Sequence, residues 1–184
     1  RRGHQDGLHP VWAGGGAPLA TAVKFAAQLG LAGLEWAAGI PGTVGGAVAT
    51  NAGAWGSDMS RVAEDITLLL HEGLVRQQRG TALPAGYRRR QLPDKSLVLA
   101  ARLRLEPDAG EAVAGRTEKL NQRRAQRQPG GRTAGSVFKN PPGMSAGRLI
   151  EQAGCKGLSQ GGAQVSERHA NFIVNRGGAS ARDV

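Results

Sequence analysis

Three stretches of this sequence hold residue types that chemistry needs. In Gly135-Ser136-Val137-Phe138-Lys139-Asn140-Pro141 a hydroxyl stands close to a cation and a carboxamide. No Gly-x-Ser-x-Gly elbow surrounds Ser136, so the sequence gives no sign of an activated nucleophile. A serine in a turn is the ordinary reading, but Lys139 and Asn140 make an anion-binding or proton-donating role attractive. The second stretch, Gly39-Ile40-Pro41-Gly42-Thr43-Val44-Gly45-Gly46-Ala47-Val48, runs into Asn51-Ala52-Gly53-Ala54-Trp55-Gly56. Missing side chains let backbone N–H groups approach an anion or a flat ring, and they equally let two backbones pack closely; composition leaves the two readings level. The third, Gly14-Gly15-Gly16-Ala17-Pro18-Leu19, has the place of a dinucleotide fingerprint but carries Leu19 at the third glycine position, so it reads as a strand-to-helix turn. His4, His9, His71, His169 and Cys155 lack metal-ligand spacing, and no metal is expected. Arg88-Arg89-Arg90 and Arg123-Arg124 read by default as solvated faces.

The elements that must position these residues follow from hydrophobic period. Val11-Trp12-Ala13 reads as a strand. Leu19, Ala22, Val23, Ala26 and Leu29 recur at helical spacing, with Pro18 in the first turn and Gly30 ending the helix. Ile66 to Leu70 reads as a strand, turned at His71-Glu72-Gly73 into a return strand at Leu74-Val75. Leu97 to Ala100, with Leu103, is another. Composition changes at Glu106-Pro107-Asp108-Ala109-Gly110, which places a domain boundary between residues 108 and 109. Beyond it come a basic helix over 113–127 stopped by Pro129-Gly130-Gly131, a short helix over 147–153 capped by Ser145 and Gly154, and a buried strand at Phe172-Ile173-Val174. Ser180-Ala181-Arg182-Asp183 has the pattern of a capping box. With Arg1 at the start and Val184 directly after that box, the sequence reads as a piece of a longer protein.

The formal charge is +10 and 29 residues are Gly, with no collagen-like period. Such charge suits either nucleic acid or small phosphorylated ligands. Three Phe, three Trp and one Tyr form no repeated stacking platform, which disfavours single-strand binding. No apolar run reaches membrane-spanning length and no signal peptide opens the chain. One cysteine excludes an intrachain disulfide.

Taken in order, five segments resemble the UDP-N-acetylenolpyruvoylglucosamine reductases. They are Gly39 to Gly46 running into Asn51 to Gly56; Gly86-Tyr87-Arg88; Ala134 to Pro141; Leu149-Ile150-Glu151-Gln152-Ala153-Gly154-Cys155-Lys156-Gly157; and His169-Ala170-Asn171-Phe172-Ile173-Val174-Asn175. The resemblance implies an α+β fold. Residues 1–108 would be the second part of an FAD-binding domain of the vanillyl-alcohol-oxidase type, and residues 109–184 the first part of a substrate-binding domain. It implies a cytoplasmic bacterial flavoenzyme that takes hydride from NADPH onto FAD and reduces UDP-N-acetylenolpyruvoylglucosamine to UDP-N-acetylmuramate for the cell wall. Its partners would be a UDP-sugar, with neither nucleic acid nor membrane, and it fixes no oligomeric state. Ser136 would be the proton donor, and Arg88 or Arg61 would stabilise developing charge. Gly39, Ile40, Pro41, Gly42, Thr43, Gly45, Gly46, Asn51, Ala52 and Gly53 would lie on the flavin side, and Tyr87, Lys139 and Asn140 on the substrate side. One departure stands out: Arg90 occupies a position where the family usually has Ser or Thr. The pyrophosphate-binding loop is expected before Arg1 and the catalytic glutamate after Val184. Another flavin oxidoreductase of the same superfamily is one alternative, and a non-catalytic basic nucleic-acid-binding module is another.

Overall fold

The computed structural model describes residues 7–184, so Arg1 and His4 lie outside the described residues. The chain divides into two compact units, residues 1–121 and 122–184.

The first unit is built on an antiparallel sheet. Strand β1 (His9–Gly14) leads to helix α1 (Leu19–Gln28) and strand β2 (Leu31–Ala32); helix α2 (Val44–Thr50) precedes the small hairpin β3 (Gly53–Ala54) and β4 (Ser57–Asp58). Strands β5 (Ala63–Leu69) and β6 (Val75–Arg79), a second hairpin of β7 (Ala85–Gly86) and β8 (Arg89–Arg90), and the long β9 (Leu97–Pro107) follow. The main sheet runs β1-β9-β5-β6, and β2 also pairs with β9. Alternation along β9 buries Ala101, Leu103 and Leu105 and turns Arg104 and Glu106 outward, the period of a strand with one face covered. Helix α1 covers that face with Leu19, Ala22, Val23 and Ala26. Val44, Ala47 and Val48 of α2 join the same core as Ile66, Leu68 and Leu103. Gly30, with φ of +64°, follows α1 and ends it as expected. Pro18 stands one place earlier than expected, at the N-cap.

Helix α3 (Gly110–Arg127) begins three residues earlier than its apolar spacing suggested. Val113 is buried at its start. Arg116 reaches Glu35 Oε1 at 2.8 Å and Asp108 Oδ2 at 2.6 Å, and the second of these bonds, with one from Ala109 N–H, holds the Asp108 carboxyl below its ordinary pKa. The composition change lies at the start of α3, whereas the two compact units divide inside it, at Asn121 and Gln122.

The second unit contains β10 (Arg132–Ser136), α4 (Ala146–Gln152), β11 (Ser159–Gln160), β12 (Ala163–Val165) and β13 (Phe172–Asn175), with sheet order β10-β13-β12-β11. Arg168 Nη1 donates to the carbonyls of Ala125 (3.1 Å) and Gln128 (3.3 Å). A cation thus closes the C-terminal end of α3, where carbonyls lack helical partners. Two capping expectations need correction. Ser145 occupies the N-cap of α4 but its side chain caps nothing; Asn140 Oδ1 accepts from Ala146 N–H at 3.0 Å instead. The Ser180 box does form its contact, Ser180 N–H donating to Asp183 Oδ2 at 2.8 Å, and this holds the Asp183 carboxyl below its ordinary pKa. The contact closes a turn rather than a helix.

Candidate active site

In the first unit the glycine stretch resolves into two faces. Gly45 faces inward: a Cβ there would stand 2.9 Å from the carbonyl oxygen of Gly15 and 3.2 Å from that of Val98. Gly15 is tighter still, a Cβ meeting the Val98 oxygen at 2.1 Å. Both glycines exist for close backbone packing onto β9. On the other face Gly39, Pro41, Gly42, Thr43 and Gly46 are exposed. Gly39 and Gly42 have φ of +70° and +114°, and a Cβ on Gly42 would meet nothing. The amides that begin α2 are already committed. Val44 N–H donates to Ala17 and Gly45 N–H to Gly15, while Gly46 N–H donates to Thr43 Oγ1 at 3.2 Å. The first three amides of α2 are therefore spent within the protein. Ile40, Ala52 and Gly53 are half-buried beside it.

Asn51 has its side chain inside the first unit. It is 2% exposed and ends α2 in the left-handed conformation. Its Oδ1 accepts from Ser60 N–H at 2.8 Å and its Nδ2 donates to the Gly86 carbonyl at 3.0 Å. The side chain is spent inside the protein, between the residue before Arg61 and the residue before Tyr87. Arg61 and Arg88 are both exposed. Tyr87 and Arg88 form the two-residue loop of the β7–β8 hairpin. Arg88 carries φ of +55°, in the left-handed region that favours glycine. That conformation costs a residue with a Cβ on the order of 1 kcal/mol. Its guanidinium lies 5.4 Å from the Tyr87 ring centroid, a cation–π contact.

Arg90 overturns the reading of its run as a solvated face. It is 6% exposed. Its Nε donates to the Val48 carbonyl at 3.2 Å, and its Nη1 to those of Gly80 (3.0 Å) and Leu83 (3.2 Å). Burial lowers its pKa, with Asp58 opposing. The strand period explains the split: Arg89 points out and Arg90 in.

In the second unit Ser136 ends β10 opposite Phe172 and is exposed. Asn171, 3% exposed, pins the loop that follows. Its Oδ1 accepts from Phe138 N–H at 2.9 Å, its Nδ2 donates to the Phe138 carbonyl at 2.8 Å, and its own carbonyl accepts from Val137 N–H at 3.0 Å. The sequence alone assigns Asn171 no task; a carboxamide between the apolar Ala170 and Phe172 was the available signal. Lys139 is exposed. Asn140 also faces solvent, though its Oδ1 is engaged at α4. His169 packs edge-on against Phe172 at 4.8 Å, and burial pulls its pKa below the ordinary value. It borders an open hollow of about 390 Å³ with Arg148, Arg168 and the Lys156–Glu151 ion pair on the wall, a feature that the sequence did not reveal. Among the described residues no group of His, Cys, Asp and Glu could hold a metal ion.

Residues 126–184 match the family model of the UDP-N-acetylenolpyruvoylglucosamine reductase C-terminal domain, and residues 3–77 that of an FAD binding domain. The UDP-N-acetylenolpyruvoylglucosamine reductase of Granulibacter bethesdensis is 47% identical over 94% of this chain, and that of Heliobacterium modesticaldum 49% identical over 94%. The chain belongs to the UDP-N-acetylenolpyruvoylglucosamine reductase family. It spans about half the length of the curated relatives it matches, 56% of each of these two. The crystal structure of the Thermus caldophilus reductase superposes with a TM-score of 0.89 at 42% identity, covering 94% of this chain and 64% of that one. The expected α+β order, a flavin-type unit followed by the reductase C-terminal domain, is thereby established. Among the described residues no helix is long and apolar enough to cross a membrane.

Proposed function

We propose that the protein to which this chain belongs is a flavoenzyme that reduces the enolpyruvyl ether of UDP-N-acetylenolpyruvoylglucosamine to UDP-N-acetylmuramate, with NADPH as hydride source, in the bacterial cytoplasm. The observation that carries this reading is the exposed Ser136 hydroxyl at the end of β10, on a loop fixed by Asn171 and followed by Lys139 and Asn140.

FAD, when bound, supplies the two-electron store from which hydride leaves for the substrate. The exposed, Cβ-poor surface of Gly39, Pro41, Gly42, Thr43 and Gly46 fits the flat body of such a group. The amides of Val44, Gly45 and Gly46 are committed within the protein and would not serve its pyrophosphate. The chain's own residues do the rest. Hydride adds to one carbon of the enol double bond and leaves charge on the other, delocalised into the adjacent carboxylate. The Ser136 Oγ–H delivers a proton to that carbon, completing addition of H⁻ and H⁺ across the bond. A serine hydroxyl is a feeble acid, but a carbanionic carbon is a strong enough base for a well-placed one to serve. The guanidinium of Arg88, with Arg61 the other candidate, stabilises the developing negative charge. Tyr87, Lys139 and Asn140 hold the sugar diphosphate.

The test separates the two half-reactions in the full-length, flavin-loaded protein. In Ser136→Ala, flavin reduction by NADPH proceeds at nearly the parent rate while reoxidation by the enolpyruvyl substrate is crippled. Equal loss in both half-reactions would overturn the role of Ser136.

A further inference from the structure

The loop that presents Tyr87 and Arg88 is only two residues long, in a hairpin whose two strands have two residues each. A hairpin so short has little stability of its own, and it carries a non-glycine residue in the left-handed region at Arg88. Something outside the hairpin must hold it. Two side chains do so, one on each strand. On β7, the Gly86 carbonyl accepts from Asn51 Nδ2 at 3.0 Å. On β8, Arg90 sends its own guanidinium back into the unit, to the carbonyls of Val48, Gly80 and Leu83. Asn51 and Val48 both belong to the C-terminal end of α2, so both attachments reach the same short helix. Val48 offers one of the carbonyls that a helix end leaves without a full set of partners. Asn51 does a second thing: its Oδ1 accepts from Ser60 N–H at 2.8 Å, sharing that donor with Asp58 Oδ1 at 3.0 Å, and so links the turn before Arg61 to the same point.

We propose that Asn51 and Arg90 are positioning residues, a two-point mount on the end of α2 that fixes the Tyr87–Arg88 loop and, through Ser60, sets the turn before Arg61. The inference deepens the function proposed above and rests on it for the task of the two exposed arginines; the mount itself stands on the hydrogen bonds alone. Both side chains are buried and neither is free to touch a ligand with the atoms it has committed. Their effect on chemistry therefore passes through the arginines. Arg90 Nη2 is buried without a hydrogen-bond partner among the described residues.

The test uses the full-length protein and a readout independent of any reaction. Arg88 and Arg89 are trypsin sites in the mounted loop, and cleavage there reports local opening. Asn51→Gly removes the side chain but keeps the left-handed backbone comfortable; Arg90→Met removes the three donated bonds at similar bulk. Loss of even one such bond multiplies the open population by on the order of tenfold, so cutting after Arg88 and Arg89 rises by about that factor or more in each variant. Cutting in the Arg123-Arg124 stretch stays near the parent rate. Arg90→Lys, which retains a donor, falls between. Unchanged cutting at Arg88 and Arg89, or an equal rise at every arginine, overturns the mount. The second arm measures the two half-reactions in Arg90→Met. A slowed substrate-dependent reoxidation with intact flavin reduction, partly rescued in Arg90→Lys, supports the positioning role, and equal slowing of both overturns it. If cutting rises while neither half-reaction changes, the mount holds and the task assigned to Arg88 in the proposed function is what fails.

Discussion

Asn171→Ala should loosen the segment that carries Ser136 while leaving the rest of the second unit folded. The substitution removes both side-chain hydrogen bonds to Phe138, at 2.9 and 2.8 Å, and leaves the backbone bond from Val137 in place. A net hydrogen bond is worth about 0.5–1.5 kcal/mol, so two amount to about 2 kcal/mol. Phe138 is exposed, so its freed N–H and C=O can turn to water, and the larger penalty of stranding buried polar groups does not add. At about 2–4 °C per kcal/mol for a chain of this size, the melting temperature falls by about 4–8 °C. Hydrogen exchange supplies the local readout: the Phe138 amide speeds up by on the order of tenfold or more, and amides of β12 do so far less. Asn171→Asp keeps the acceptor for Phe138 N–H but sets a carboxylate against the Phe138 carbonyl, so it costs at least as much as Ala. A Phe138 amide that exchanges at the parent rate in Asn171→Ala would refute the claim that Asn171 holds this loop.

Glycine substitutions test the two-faced reading of the first unit. Gly45→Ala gains helix propensity but drives a Cβ to 2.9 Å from the Gly15 oxygen; crowding against backbone outweighs the gain, and stability falls by about 1–3 kcal/mol in urea unfolding. Gly115→Ala, in α3 with nothing near the new Cβ, stabilises by about 0.5–1 kcal/mol, and a loss there would show that the helix interior is crowded after all. His169 gives a pH signature. Its folded pKa lies below the unfolded one because burial disfavours the charged ring. As pH falls below about 6.5 the unfolded chain takes the proton first, and stability declines until the folded imidazole also protonates. Thermal melts of His169→Gln should lack that decline, and an unaltered slope would assign it to other groups.

Much of the fold could be read from period and punctuation, because β9 and α1 each have a face that must be buried. Ala101, Leu103 and Leu105 alternate, and Leu19, Ala22, Val23 and Ala26 recur at helical spacing. The two-residue strands had no such signal, since a hairpin as short as β7–β8 is held by groups distant in sequence. Arg90 shows the cost of that blindness: a third arginine in a row reads as surface until its carbonyl partners at Val48, Gly80 and Leu83 are in place. Asn51 illustrates the opposite case. Its neighbourhood was legible from the small residues around it, but its side chain serves Ser60 and Gly86, 9 and 35 residues away. The glycine stretch was ambiguous because its glycines differ, Gly45 packing inward against backbone and Gly42 lying open. Asn140 and Ser145 exchanged expectations since N-cap preference is local, whereas the acceptor at α4 comes from a loop whose path Asn171 sets.

Anaerobic single-turnover spectroscopy of the full-length protein bears most directly on the proposed reaction. The flavin, once reduced by NADPH, should regain its oxidised absorbance on mixing with UDP-N-acetylenolpyruvoylglucosamine and stay reduced with UDP-N-acetylglucosamine, which lacks the enol ether. A flavin that stays reduced with both, or a protein that cannot be loaded with flavin at all, would contradict the account.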